Sequence, residues 1–173
     1  MTAAPRRRAF PAPAGPSPRM RLATGADCPW MARLSRDLIE TGLGWHYQPP
    51  RLARLLARTE VCAVVAQDGG APAGFAVMEF LDEHAHLVLL AVEPHAQRRG
   101  IAGALVRWLE ESARTAGAFT VYCEARASST AARGFYRALG YRELFLMPGY
   151  YRGAEAAVRL GHDLRRPVSD AAC

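Results

Sequence analysis

Residues 87–116 constrain the fold more than any other part of the chain, because their pattern changes twice. An apolar run at 87–92 is followed by a loop that holds Gly100 and Gly103, and amphipathic spacing begins at Ile101. A short apolar run predicts a buried strand, and apolar residues at three- and four-residue intervals predict a helix. This order predicts a strand, a glycine-bearing loop and a helix within one α/β unit.

The start of this predicted helix is suited to holding a phosphate group. The first N–H groups of a helix have no partner inside the helix and carry a partial positive charge. Gly100 and Gly103 allow the backbone to approach a ligand closely, while Arg98 and Arg99 add fixed positive charge. We interpret the loop as a cradle for an anion.

The residues of the loop exclude two common nucleotide-binding motifs. The chain contains no lysine, so it lacks the Gly-x-x-x-x-Gly-Lys-Ser/Thr of a P-loop. It also lacks Gly-x-Gly-x-x-Gly with an acidic residue about twenty positions later, the fingerprint of a dinucleotide fold. Gln97, Gly100 and Ala102 instead match the spacing Gln/Arg-x-x-Gly-x-Gly/Ala. This spacing resembles the pyrophosphate-binding loop of the GCN5-related N-acetyltransferases (GNATs).

Later segments extend the resemblance to one branch of this superfamily. Residues 124–129 read Glu-Ala-Arg-Ala-Ser-Ser, residues 135–141 read Phe-Tyr-Arg-Ala-Leu-Gly-Tyr, and Tyr150 and Tyr151 follow. The ribosomal-protein-alanine N-acetyltransferases have Glu-Val-Arg-x-Ser-Asn, Leu-Tyr-x-x-Leu-Gly-Phe and a terminal Tyr-Tyr at similar places. The segment from 86 to 164, about half of the chain, most resembles that branch.

Three residues depart from the pattern of the branch. Ser129 stands where the family has a cofactor-contacting asparagine, Ala102 replaces the more usual second glycine, and Pro148 replaces an arginine before the double tyrosine. Serine still forms hydrogen bonds and alanine adds only a methyl group. We therefore expect cofactor binding to be retained, whereas the choice of acceptor is left open.

The rest of the chain predicts further elements of both kinds. Strands are expected at 20–23, 61–66, 73–81, 84–92, 119–124, 141–146 and 155–163, and helices at 30–40, 51–57, 101–116 and 130–139. Asp68, Gly69 and Gly70 predict a hairpin turn between the second and third strands. This order predicts an α/β fold with a mixed, mostly antiparallel sheet and helices on both faces. The resemblance implies the GNAT fold, in which the strands at 84–92 and 119–124 splay apart around the thioester.

Length and composition predict a single folded domain. The chain has 173 residues, half of them apolar, which suffices for one substantial core. Five prolines within residues 1–18 predict a flexible basic leader, residues 19–164 form the expected domain, and residues 165–173 form a loose tail. Arg7 and Arg8 are not followed by the apolar core of an export signal.

Charge patterning excludes some classes of partner. The net charge is +6 and all 22 basic residues are arginine, many of them near the chain ends. Basic tails are usually solvated. Because the domain has no basic patch interleaved with aromatic residues, we do not expect nucleic acid as a partner. No apolar run approaches the length of a membrane span, so we expect no membrane partner either.

The cysteines and histidines predict neither disulfides nor a metal. The four cysteines are scattered without a Cys-x-x-Cys pair, which favours a reducing compartment, and we expect a cytoplasmic protein. His84 and His86 share one face of a predicted strand but have no third ligand nearby. We therefore expect no metal site.

The resemblance implies two catalytic residues for acetyl transfer to an amine. An α-amino group with a pKa near 8 is mostly protonated at neutral pH, so a base must remove a proton before it attacks. The family's base corresponds to Glu124 and its acid to Tyr136, twelve positions later in both. Glu124 would take the proton directly or through a water, and Tyr136 would protonate the departing thiolate. The alternatives are a solvated acid at the end of a strand and a tyrosine of the core.

The resemblance also implies a set of residues that bind acetyl-coenzyme A (acetyl-CoA), the expected co-substrate. Backbone groups of Leu90, Ala91 and Val92 are expected to pair with the pantetheine arm as an added strand would. The residues expected to hold the rest of the cofactor are Gln97, Arg98, Arg99, Gly100, Ile101, Ala102, Gly103 and Ser129. The alternative is an ordinary strand and helix cap.

Aromatic residues in two loops are candidates for binding the acceptor. Trp45, His46 and Tyr47 lie in the first interhelical loop, while Tyr150 and Tyr151 lie in the last hairpin. Both loops border the acceptor site in the superfamily, and two aromatic loops would suit a flexible peptide end. We expect an N-acetyltransferase acting on a protein N-terminus. The alternatives are a small amine or antibiotic as acceptor, and an acetyl-CoA-binding regulatory module without turnover.

Overall fold

Seven strands form one sheet in the computed structural model, which describes residues 18–165. The proposed leader (1–18) and tail (165–173) fall outside the described residues, except for Pro18 and Arg165. The strands are β1 (Arg19–Leu22), β2 (Val61–Asp68), β3 (Ala71–Phe80), β4 (His84–Val92), β5 (Thr120–Arg126), β6 (Arg142–Tyr151) and β7 (Glu155–Asp163). The helices are α1 (Cys28–Leu38), α2 (Pro49–Leu56), α3 (Ile101–Thr115) and α4 (Thr130–Ala138).

The sheet is mixed and mostly antiparallel, as the sequence predicts. The strand order is β1-β2-β3-β4-β5-β7-β6, and within the described sheet β4 and β5 are the one parallel pair. The predicted hairpin joins β2 to β3, and Gly69 and Gly70 both have positive φ there, at 58° and 88°. Such a turn matches the twist of the two strands.

Apolar residues on the two faces of the sheet form two separate cores. Phe75 and Val77 of β3 pack with α1 and α2, whereas Ala76 and Met78 of the same strand pack with α3 and α4. This alternation is the two-residue period of a strand that is buried on both sides. The structure therefore confirms a sheet with helices on both faces.

The parallel pair separates soon after it forms. β4 and β5 are paired at residues 84–86 and 120–122, and beyond that point β4 pairs with β3 while β5 pairs with β7. A bulge at Val88 shifts the register, because Val77 faces Leu89 whereas Met78 faces Leu87. After the bulge, Leu89 faces the α1 and α2 side, whereas Leu87 before it faces the other side. The described strands thus leave an open gap between the C-terminal halves of β4 and β5.

Several element boundaries differ from the sequence prediction. α2 begins at Pro49 rather than at residue 51, because a proline in the first turn of a helix removes only an N–H that has no helical partner. β6 continues to Tyr151 instead of ending at residue 146, with a bulge that accommodates Pro148. An edge strand tolerates proline in this way. None of the helices within residues 18–165 has the length and apolar character needed to cross a membrane.

Candidate active site

The side chain of Glu124 lies on β5, where that strand separates from β4. It is only 6% exposed, and both carboxylate oxygens are engaged. Nε2 of His86, on β4, lies 2.6 Å from Oε2. Nε of Arg159, on β7, donates to Oε1 at 2.8 Å. The gap therefore begins beside a buried carboxylate held from both neighbouring strands.

The environment of Glu124 favours its charged form. Burial is the largest single influence and would raise the pKa of the carboxyl. The hydrogen bonds and charges of His86 and Arg159 together outweigh burial, so that the pKa of Glu124 lies below its ordinary value. Glu124 is consequently an ionised carboxylate at neutral pH.

Tyr136 lies on the other side of the sheet from Glu124. It belongs to α4 and packs in the core with Cys123, the neighbour of Glu124 on β5. Burial, followed by the influence of Cys123, raises the pKa of Tyr136 well above its ordinary value. The phenol therefore keeps its proton at neutral pH. Among residues 18–165 no hydrogen bond joins Tyr136 to Glu124.

The loop where the sequence predicts an anion cradle leads directly into the N-terminus of α3. Gly100, with φ of 82°, is the N-cap of α3, and the N–H of Ala104 donates to its carbonyl at 3.0 Å. The amides from Ile101 to Gly103 precede this first helical bond, so they point out of the helix end. Nε2 of Gln97 donates to the Val92 carbonyl at 3.0 Å and ties the loop to β4.

The arginines of the loop have different surroundings. Arg98 has a positive φ of 62°, which is uncommon for a residue with a side chain. Arg99 pairs with Asp68 at 2.5 Å, so its guanidinium is engaged within the protein. The guanidinium of Arg107 lies 3.1 Å from where a Cβ on Gly103 would stand. Arg107 is not among the residues predicted for this loop, although its four-residue spacing from Gly103 puts both on one face of α3.

The backbone of β4 offers an open edge to the gap. Leu90 and Val92 pair with β3 on one side, and no described strand pairs with residues 87–92 on the other. The structure thus places Leu90, Ala91 and Val92 where an extended ligand could add as a strand. Ser129 is the N-cap of α4, and its Oγ accepts a hydrogen bond from the N–H of Ala132 at 3.3 Å.

Two loops meet over the face of the sheet that carries Glu124. Nη2 of Arg152, in the β6–β7 hairpin, lies 3.0 Å from Nδ1 of His46, in the α1–α2 loop. The buried carboxylate of Glu40 accepts the N–H groups of His46 and Tyr47 at 2.6 and 3.2 Å. Glu40 therefore holds the α1–α2 loop in place, and the contact between His46 and Arg152 joins this loop to the β6–β7 hairpin.

Arg126, at the end of β5, contacts both the α1–α2 loop and residues at the β6–β7 hairpin. Its Nη2 donates to the carbonyls of Ile39 and Thr41 at 2.8 and 2.6 Å, and its Nη1 donates to Glu155 at 2.9 Å. Its guanidinium also lies 5.7 Å from the ring of Tyr151. The sequence analysis noted Arg126 within its motif but had no means of assigning these partners.

The predicted acceptor aromatics divide into two groups. Burial raises the pKa of Tyr47, of Tyr150 and of Tyr151, the last to about 12, and the charge of Glu124 adds to each shift. These three phenols therefore lie near the carboxylate. Trp45 instead packs against α1, where its indole N–H donates to the Ala32 carbonyl at 3.2 Å.

The two histidines considered as metal ligands have other contacts. His86 bonds to Glu124, and the ring of His84 packs edge-on against Tyr122 at 5.6 Å. Within residues 18–165 no group of three or more potential ligand residues could hold a metal ion.

The sheet opens between its parallel strands β4 and β5, and the N-terminus of α3 follows β4, which is the arrangement that the family resemblance implies. The chain matches the model of the Acetyltransferase (GNAT) family over residues 29–141, more than half of its length, and so belongs to that family. The predicted family and fold are thereby confirmed.

Two curated relatives are N-acetyltransferases. The chain is 36% identical over 83 residues to the [ribosomal protein bS18]-alanine N-acetyltransferase of Salmonella typhimurium, covering 48% of this chain and 56% of the relative. It is 33% identical over 86 residues to naa20, the catalytic subunit of the N-terminal acetyltransferase B complex of Schizosaccharomyces pombe, covering 50% of this chain and 48% of the relative. The chain thus spans about half the length of the curated relatives it matches.

A solved structure has the same fold over most of the chain. The ribosomal-protein-S18-alanine N-acetyltransferase from Escherichia coli superposes with a TM-score of 0.75 and 22% identity, covering 88% of this chain and 97% of that one. The likeness to the ribosomal-protein-alanine N-acetyltransferases, which the sequence motifs predicted, is confirmed.

Proposed function

We propose that the protein is an acetyl-CoA-dependent N-acetyltransferase whose acceptor is a protein N-terminal α-amino group. Membership of the GNAT family and the names of the relatives support an acyltransferase. The observation that carries the proposal is the position of Glu124, an ionised and buried carboxylate at the opening of the gap between β4 and β5. The contact between the α1–α2 loop and the β6–β7 hairpin, over the same face of the sheet, supports a binding site for the N-terminal end of a peptide.

The residues around the gap fit a pantetheine arm that ends in a pyrophosphate. The open edge of β4 at Leu90, Ala91 and Val92 would pair with the amides of the arm. The outward N–H groups at the start of α3 and the guanidinium groups beside them would hold the pyrophosphate. Arg99 would exchange its partner Asp68 for a phosphate oxygen. When bound, acetyl-CoA supplies an activated acyl thioester.

The two candidate catalytic residues have complementary protonation states. Glu124 is ionised and can draw a proton from an ammonium group, directly or through a water. Tyr136 keeps its proton and can pass it to a thiolate. The amine loses two protons as the C–N bond forms and the C–S bond breaks. One proton leaves for solvent through the base, and the other restores the tyrosine.

The shape of the acceptor face favours a peptide end over a free small amine. Arg152 and His46 join the two loops across the cleft, and Arg126 ties both loops to β5. Tyr47 and Tyr150 stand near Glu124 and would contact the first residues of an extended peptide. A free small amine would leave most of this aromatic surface uncovered.

Thiol release from acetyl-CoA tests the proposal. The purified protein is offered peptides with different N-termini and, in parallel, small amines. We expect turnover on peptides, and we expect E124Q and Y136F each to lower kcat/KM by about 100-fold or more, the usual contribution of a positioned acid or base. E111Q is the matched control, because Glu111 is 73% exposed on α3.

Three results would change the proposal. Turnover on small amines alone would show that the acceptor is a small amine and not a protein N-terminus. Binding of acetyl-CoA without turnover on any acceptor would favour a regulatory module. Full activity in both folded variants would remove Glu124 and Tyr136 from the mechanism.

A further inference from the structure

His86 and Glu124 form a close pair at the point where the strands separate. Their parent strands lie parallel at residues 84–86 and 120–122, and both side chains project from the face that carries the acceptor loops. Nε2 of His86 lies 2.6 Å from Oε2 of Glu124. His86 is the more accessible partner, with 27% of its side chain exposed against 6% for Glu124. An acceptor amine entering from the cleft can therefore reach the imidazole more easily than the carboxylate.

The hydrogen bond fixes which nitrogen of His86 carries hydrogen. Glu124 is ionised, and an ionised carboxylate only accepts hydrogen bonds. The hydrogen between the two residues must therefore reside on Nε2 of His86. A neutral imidazole protonated at Nε2 has its lone pair on Nδ1. Within residues 18–165, Nδ1 of His86 has no hydrogen-bond partner.

Glu124 alone is poorly suited to removing a proton from the acceptor amine. Arg159 holds Oε1 and His86 holds Oε2, so both oxygens already accept hydrogen bonds. The same contacts move the pKa of Glu124 downward, away from that of an α-amine. Nδ1 of His86, in contrast, carries a lone pair that no described group occupies, so it can accept a proton from an amine.

We propose that Nδ1 of His86, in place of Glu124, is the atom that takes the proton of the acceptor amine, and that Glu124 acts through His86 by orienting the ring and stabilising its cation. This inference rests on the proposed function. The ammonium gives one proton to Nδ1, which makes the amine neutral and the imidazole positive. The imidazolium then releases this proton to solvent, while the other hydrogen stays on Nε2 and remains donated to the Glu124 carboxylate. The second amine proton restores Tyr136, as before.

Charged and titratable groups from every neighbouring element face this pair. They are Glu79 with its partner Arg58, Tyr122, Arg159, Tyr47, Tyr150 and Tyr151. The carboxylates favour the imidazolium that forms during the reaction, whereas Arg159 opposes it. The phenols of Tyr47, Tyr150 and Tyr151 are neutral at neutral pH because burial raises the pKa of each.

The H86Q variant tests the proposal through its pH profile. A glutamine amide can still donate to Glu124 but cannot take a proton. We expect H86Q to bind acetyl-CoA normally and to lower kcat/KM on a peptide by about 100-fold at pH 7. The deficit should shrink above about pH 8, where the α-amine arrives already deprotonated. H84Q, two residues earlier on the same strand, is the matched control and should behave as wild type.

A second readout needs no acceptor. Nitrogen-15 NMR of the histidines at pH 8, with the His86 signal assigned from H86Q, should show hydrogen on Nε2 and a lone pair on Nδ1. The opposite tautomer would overturn the proposal, and so would wild-type kcat/KM in H86Q or a deficit that is equal at all pH values. A wild-type protein without any turnover would instead refute the proposed function, while the tautomer would still report on His86.

Discussion

Asp27 joins β1 to the start of α1, and its replacement by asparagine is predicted to destabilise the fold in a pH-dependent way. Its two oxygens accept hydrogen bonds from Arg21 at 2.7 and 2.8 Å, and from the Thr24 N–H and hydroxyl at 2.7 and 3.1 Å. The hydrogen bond from Arg21 is the largest influence and, with Thr24, outweighs burial, lowering the pKa of Asp27 from 3.8 to about 2. Asparagine cannot replace these ionic contacts.

The size of the effect follows from the change in pKa. The difference between 3.8 and about 2 corresponds to at most about 2.4 kcal/mol of stability at neutral pH. Arg21 is 32% exposed, so solvent screening reduces this figure, and we expect about 1–2 kcal/mol. In a chain of this length, that loss lowers the melting temperature by about 2–8 °C.

The sign of the pH dependence is fixed by the direction of the shift. Because folding lowers the pKa of Asp27, its contribution is complete above the unfolded value of 3.8 and is lost as the pH falls through about 2. Urea unfolding of wild type and D27N should therefore differ by about 1–2 kcal/mol at pH 7 and by about half as much at pH 3. D37N is the control, because the Arg36–Asp37 pair is well exposed and its loss should not be measurable. Equal differences at both pH values, or no difference at pH 7, would refute the reasoning.

Two further variants test the cofactor loop and the acceptor loops. G100A places a Cβ at a φ of 82°, in open space with no protein atom within 4 Å, beside the N–H groups proposed to hold the pyrophosphate; it obstructs the ligand, and a conformational cost of about 1 kcal/mol opposes the loop geometry that binds it. Calorimetric titration should show acetyl-CoA binding weakened by about 5-fold or more, and an unchanged Kd would argue against the cradle. R126M removes the hydrogen bonds to Ile39, Thr41 and Glu155. Steady-state kinetics should show a higher KM for peptides with acetyl-CoA binding unchanged, whereas a weaker Kd for acetyl-CoA would contradict the assignment.

Most of the fold could be predicted from sequence because its signals are local. The run at 87–92, the glycines at the start of α3 and the Asp-Gly-Gly turn each act over a few residues, and the structure has a strand, a helix and a hairpin at these places. The bounds of β6 were missed because the bulge around Pro148 depends on pairing with β7 rather than on local preference. The separation of β4 from β5 was an implication of the family resemblance, not of periodicity.

The contacts of the candidate site were less predictable. His86 and Glu124 are 38 residues apart, and the register that brings them together arises only when β4 and β5 pair. Arg159 reaches Glu124 because β7 lies between β5 and β6, an order that sequence periodicity does not reveal. Motif position predicted Glu124 near the end of a strand, and the structure places it on β5 beyond the residues that pair with β4, but its partners required the tertiary structure.

The most direct test of the central claim is to locate the acetyl group on the product. A peptide with a free N-terminal alanine and one internal lysine is incubated with the protein and acetyl-CoA, and the product is sequenced by tandem mass spectrometry. We expect a single acetyl group on the α-amine, formed by wild type and at least about 100-fold more slowly by E124Q. Acetylation of the lysine side chain alone, or equal α-amine acetylation by wild type and E124Q, would contradict it.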